Sequence, residues 1–186
     1  MRALFLLLLI AARARAVELH IQFGALERML AEQVFSEEGR RYVRGAKSDR
    51  CNFAYLESPK IESDGGRLRI RAKFTGRSSV NVLGQCVGLG DAFQVIVTAR
   101  PQYKDGRLRF QEVVASSDGK TGFYIRRVCT ELSSSLERDF AYPLETEAKR
   151  LLEEGGKREV RGFKVPDVRV SSDSLVLAVD FELRVK

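Results

Sequence analysis

Two versions of one phrase, PKIESDGGRLRI at residues 59–70 and PQYKDGRLRF at residues 101–110, constrain the fold of this chain more than any other feature. Each sets Asp and Gly between segments in which apolar and charged residues alternate. Glycine tolerates the positive backbone angles of tight hairpin turns, and a period of two sends alternate side chains to opposite faces of a strand. After the first turn, Leu68, Ile70, Ala72 and Phe74 face one way, and Arg67, Arg69, Arg71 and Lys73 the other. After the second, at residues 104–106, Leu108 and Phe110 alternate with Arg107, Arg109 and Gln111. A looser third copy runs from Pro166 through Val168 and Val170 to a turn at Ser172, Asp173 and Ser174, then leaves through Leu175 and Leu177. The leading prolines suit strand starts or edges, where no ladder N–H is required. A chain written this way is expected to fold into antiparallel hairpins with one apolar face.

The remaining periodicity supplies more strands and two helices. Val17, Leu19, Ile21 and Phe23 alternate with polar residues, as do Cys51, Phe53 and Tyr55, and Phe93, Val95, Val97 and Ala99. The closing alternation from Leu175 through Leu177, Val179, Phe181 and Leu183 to Val185 is longer than an ordinary strand, and so is expected to twist and curve around something. Leu26, Met29, Leu30, Val34 and Phe35 recur at three- and four-residue spacing, which predicts a helix over residues 25–38 stopped by Gly39. Leu132, Leu136, Phe140, Leu144, Ala148 and Leu151 advance by about four. They predict a second helix with Thr130 as N-cap, a kink at Pro143 and an end at Gly155 and Gly156. Residues 123–128 fit either the start of this helix or a strand. Residues 40–50 are polar, basic and aperiodic and are expected to be a loop, and residues 75–91 a short strand plus loop.

The N-terminus has the pattern of a cleavable secretory leader: Met1-Arg2, an apolar run over residues 3–12, and Ala14-Arg15-Ala16 before Val17. The run is too short to span a bilayer. Maturation at Val17 would divide the chain into a leader, residues 1–16, and a single domain, residues 17–186, exported to the periplasm of a bacterium or otherwise secreted. Without Arg2, Arg13 and Arg15 the net charge falls from +7 to +4. That is ordinary for about 170 residues with a real core, and with no clustered basic helix it gives no nucleic-acid footprint. Of the three cysteines, Cys51 and Cys86 fall on or beside sheet segments and are the expected disulfide, which leaves Cys129 as a small buried hydrophobe.

Few residues suggest chemistry. Gly119-Lys120-Thr121 lacks the earlier glycine of a phosphate loop, since the position five residues before Gly119 is Val114. His20, the single histidine, lies on the polar side of a strand, and the serines at 133–135 lack the flanking glycines of a nucleophile elbow. No spacing selects a metal, a cofactor or a catalytic pair. The row Arg67, Arg69, Arg71 and Lys73 is either a solvated face offset by carboxylates such as Glu57 and Glu62, or a dock for an anionic membrane surface.

The order of strand, helix, curved antiparallel strands, long helix and final hairpin resembles the tubular lipid-binding superfamily, which includes the bactericidal permeability-increasing proteins and bacterial envelope relatives. The likeness is carried by VELHIQFGALERMLAEQVF, DGGRLRI, DGRLRF, TELSSSLERDFAYPLETEAKRLLEE and SLVLAVDFEL, and spans most of the chain after the leader. It implies an α+β fold in which a highly curved antiparallel sheet wraps a long kinked C-terminal helix beside a shorter N-terminal one. It further implies non-catalytic binding of a lipid or other amphiphile in the gap. Phe74, Phe110, Leu132, Leu136, Phe140, Leu144, Leu177, Val179 and Phe181 are the expected apolar lining. Two other classes stay open: an unliganded scaffold or inhibitor module of cystatin-like architecture, and a small carboxylate-dependent enzyme.

Overall fold

A computed structural model describes residues 17–185; the expected leader lies outside the described residues. The chain runs β1 (Val17–Gln22), α1 (Phe23–Gln33), β2 (Arg40–Arg44), β3 (Asn52–Asp64), β4 (Arg67–Val82), β5 (Gln85–Lys104), β6 (Arg107–Ser117), α2 (Phe123–Asp139), β7 (Ala141–Tyr142), α3 (Leu144–Leu152), β8 (Arg158–Val170) and β9 (Ser174–Val185). The strands form two antiparallel sheets. One is a strongly curled half-barrel of six strands in sequence order from β2 to β7; the other has three, ordered β1-β9-β8.

The turns of the hairpin phrases form as their sequence demands, but Pro59 and Pro101 lie inside the interior strands β3 and β5, at or beside bulges, and not at strand starts or edges. Gly65 and Gly66 turn β3 into β4, and Asp105 and Gly106 turn β5 into β6, all four with positive φ. Beyond the turns, Leu68, Ile70, Ala72 and Phe74 are buried and pair across the ladder with Ala99, Val97, Val95 and Phe93. The curl has a local cause. In β3 the buried positions are Ala54 and Leu56, then Ile61; in β6 they are Leu108 and Phe110, then Val113. The face slips by one residue at bulges, where Ser58 (φ 56°) and Glu112 (φ 50°) hold left-handed backbone. Each extra residue sharpens the twist and keeps the apolar side turned inward. The Glu27 carboxylate of α1 accepts the Ile61 N–H at 2.8 Å just past the first bulge.

Several expectations are corrected. Residues 40–44, expected in a loop, form β2, because Glu38 and Gly39 (φ 55° and 77°) make a tight turn that sends Arg40 back against Glu37. Gly39 therefore opens a hairpin and does not stop the helix. That helix ends earlier, where the N–H groups of Val34 and Phe35 both reach the Leu30 carbonyl. Residues 75–91 are not loop: β4 and β5 stay paired out to Val82 and Gln85, forming a long arm.

The long kinked C-terminal helix is instead two helices. A residue before proline is driven from helical to extended backbone, so Tyr142 leaves the helix ahead of Pro143 and pairs with Leu108 as β7. α3 then starts afresh with Pro143 at its N-cap. Thr130, the expected cap, lies inside α2, which begins at Phe123. α2 packs chiefly on β6, and β9 pairs with β1 and β8 in the second sheet, so the row Leu132, Leu136 and Phe140 does not take β9 as its main partner. Buried side chains of both sheets still form one hydrophobic cluster.

Candidate functional site

The apolar faces of α1, α2 and the curled sheet nearly fill the space between them. Phe110 on β6 stacks on Phe140 at the C-terminal end of α2, with centroids 4.0 Å apart and planes 8° from parallel. Phe74 is wholly buried and meets Phe93 at 4.6 Å. A void of about 10 Å³ lies between α1 and this stack.

Between these elements a cleft remains open. Its cavity is about 80 Å³, with Leu30, Val34 and Phe35 from α1 and the residues after it, Val43 from β2, and Leu56, Ile70, Ala72 and Val97 from the sheet. Leu132, Leu136 and Phe140 of α2 close the opposite wall. Polar side chains stand only at the mouth: Gln33, Arg41, Ser135 and Asp139. The Arg41 Nη2 and Asp139 Oδ2 atoms are 3.9 Å apart. The Arg138 guanidinium, then the Ser135 hydroxyl, hold the Asp139 carboxyl below its ordinary range, with a smaller contribution from Arg41.

Of the nine expected lining residues, the structure brings Leu132, Leu136 and Phe140 to this cleft. Phe74 packs against Phe93 and Phe110 stacks on Phe140 in the core, Leu144 is buried at the start of α3, and Leu177, Val179 and Phe181 belong to the second sheet. Sequence reasoning missed Val43, because β2 carries no clear alternation, and Leu56, because it took Cys51, Phe53 and Tyr55 as the apolar row where the structure buries Ala54 and Leu56; Ile70, Ala72 and Val97 read only as generic core. The α1 contribution was present in the helical row that includes Leu30, Val34 and Phe35.

The basic row is neutralised. Arg67 pairs with Glu112, Arg69 with Asp64 at 2.7 Å, Arg71 with Glu62 at 3.2 Å and Lys73 with Glu57 at 3.1 Å. His20 lies 3.5 Å from Glu18, which also pairs with Arg169. These arms lie over Val176, which is only 2% exposed although it sits on the face opposite the core row of β9. Cys51 and Cys86 are disulfide-bonded, Cα to Cα 5.2 Å, which fits an oxidising compartment. Cys129 is free and buried, and burial pushes its thiol pKa up. No helix among the described residues is long and apolar enough to cross a membrane, and no group of three or more His, Cys, Asp or Glu among them is placed to hold a metal ion. No family model, curated protein or solved structure matches this chain.

Proposed function

We propose that this protein binds the apolar chain of a lipid or similar amphiphile in the cleft between α1, α2 and the curled sheet, by burial and shape, without transforming it. The finer architecture belongs to the same proposal: α1 and α2 act as a two-part lid over the concave side of the sheet. The observation that carries it is the segregation of the cleft, apolar throughout its walls and polar only at the mouth. That is the lining expected where a chain is buried and a headgroup stays wet. Arg41 at the mouth suits an anionic headgroup.

The volume sets the terms. About 80 Å³ is below the roughly 150 Å³ that holds a benzene and the roughly 300–1,000 Å³ of ordinary ligand pockets. The cleft therefore admits a chain terminus as it stands, and a longer chain requires the end of α2 to move away from α1. The break between α2 and α3 gives α2 that independence. The packed interior favours a second reading, an unliganded interaction module.

Native mass spectrometry of the exported protein with lysophosphatidylglycerol separates the two. Lipid binding predicts a one-to-one adduct, weakened about tenfold or more in Leu136→Trp and Val43→Phe, which fill the cleft, at unchanged circular dichroism. Absence of an adduct, or equal adducts in all three proteins, would remove the cleft as a lipid site and leave the interaction module.

A further inference from the structure

The arm formed by the far ends of β4 and β5 has an unusual surface. Beyond Phe74 and Phe93 the ladder runs on without a slip, pairing Ser78 with Leu89, Val80 with Val87 and Val82 with Gln85. These positions continue the core face of the sheet into solvent. Val80 is 65% exposed, Leu89 84%, and Leu83 at the tip 100%. The tip is also strained. Leu83 (φ 50°) and Gly84 (φ 84°) form its turn, where the β3–β4 and β5–β6 hairpins place Gly-Gly and Asp-Gly and the turn before β2 places Glu-Gly. A bulky side chain in left-handed backbone is unfavourable, so neither turn formation nor solubility accounts for a leucine here.

Two fixtures hold the arm rigid. The Cys51–Cys86 disulfide ties it to the chain before β3, and Asn52 extends the ladder by bonding both the N–H and the carbonyl of Ser79. Cations surround it. Arg77 lies on the opposite face of the arm, Arg50 adjoins the disulfide, and Arg44 and Arg127 line a recess near its base together with the exposed Phe123 and one carboxylate, Glu131. Among the described residues none of these four arginines has an ion-pair partner, whereas Asp91 is already engaged by Lys120. This contrasts with the neutralised row on the body of β4.

We propose that this arm docks the protein on an anionic lipid bilayer, with Leu83 and its valine and leucine neighbours entering the interface and the unpaired arginines meeting lipid phosphates. A second copy of the chain is the poorer occupant, because pairing the apolar faces of two arms would leave Arg77, on the other face, without a partner, whereas anionic headgroups supply one. An apolar tip with unpaired cations behind it is instead the pattern that anionic headgroups over an acyl layer complement. The proposal is independent of the cleft.

Flotation of the exported protein with phosphatidylcholine vesicles containing about a third phosphatidylglycerol tests it, since anionic lipid supplies the surface potential. Leu83→Asp with Leu89→Asp, both on exposed sites and with circular dichroism unchanged, is expected to abolish binding. Arg50→Ala and Arg77→Ala are each expected to weaken it about fivefold. Arg71→Ala with Lys73→Ala should change little, and Leu136→Trp should float like the unmodified protein. The proposal is overturned if the leucine variant floats normally, if pure phosphatidylcholine binds as well, or if the ion-paired row matters as much as the arm. Dimerisation that the leucine variant abolishes, without flotation of the unmodified protein, would overturn it in favour of self-association.

Discussion

At the scale of single residues, fixed partners decide more than residue type does. Glu145 shows this best. Its N–H bonds the Gly106 carbonyl at 3.0 Å, and its carboxylate accepts the Tyr103 hydroxyl at 2.9 Å and pairs with Lys149 at 2.7 Å, so it clamps α3 to the turn between β5 and β6. Lys149, then Tyr103, hold its carboxyl below the usual glutamate range, while burial and then Glu145 push Tyr103 up to about 12. A lowered carboxyl pKa gives stability that is present above the unfolded value and lost as pH falls through the folded one. Glu145→Gln is therefore expected to be less stable than the parent at neutral pH, with the gap closing well below the ordinary glutamate pKa of about 4.3. Urea melts across that range check it; a gap that persists in acid would mean the clamp does not act through charge. The pairing of Glu145 with Lys149 follows from helical spacing, but Tyr103 is forty-two positions away and only the fold brings it close.

At the scale of elements, the sequence marks turns and faces well and marks ends badly. The Asp and Gly pairs located two hairpins, and alternation assigned the inward faces of β4 and β5. The arm was missed because apolar residues and glycines over residues 79–90 mix without clean alternation. Gly88 has a packing reason: a Cβ there would lie 2.4 Å from the Ser78 carbonyl oxygen and 2.5 Å from the Ser79 Cα. The disulfide should matter as the logarithm of the length of chain it closes, here a separation of 35 residues. Replacing Cys51 and Cys86 with serine is expected to cost about 4 kcal/mol, read from the denaturation midpoint, with faster amide exchange concentrated in the arm. Unchanged exchange there would show that the ladder and Asn52 suffice to hold it. Cys129, buried in α2, is expected to resist thiol reagents until the protein is unfolded. Pro143 could have been read correctly from the sequence, since the constraint on Tyr142 already favours a break over a bend.

At the scale of the whole molecule, two sheets share one core. β8 contacts β5, and α3 also contacts β8. Phe163 of β8 lies against Tyr103 of β5, ring centroids 6.4 Å apart, at this junction. One continuous cluster predicts one cooperative unfolding transition. Phe163→Ala should cost about 3–5 kcal/mol. If the junction is what couples the sheets, far-ultraviolet and aromatic signals that coincide in the parent should separate in the variant. Coincident signals in both would place the coupling elsewhere in the core.

The sequence by itself determined the antiparallel hairpins, the inward rows of β4 and of the first half of β9, through Val179, and the apolar row of α1, whereas Leu183 and Val185 at the end of β9 are exposed. These are local facts, set by backbone period and turn chemistry. Only the tertiary structure decided which rows meet: that β9 joins a second sheet, that Phe110 and Phe140 consume each other, and that the basic row on β4 is neutralised while arginines near the arm have no ion-pair partner among the described residues. Alternation tells a side chain which way to point, but whether water, a carboxylate or another ring waits there depends on contacts between segments far apart in the chain.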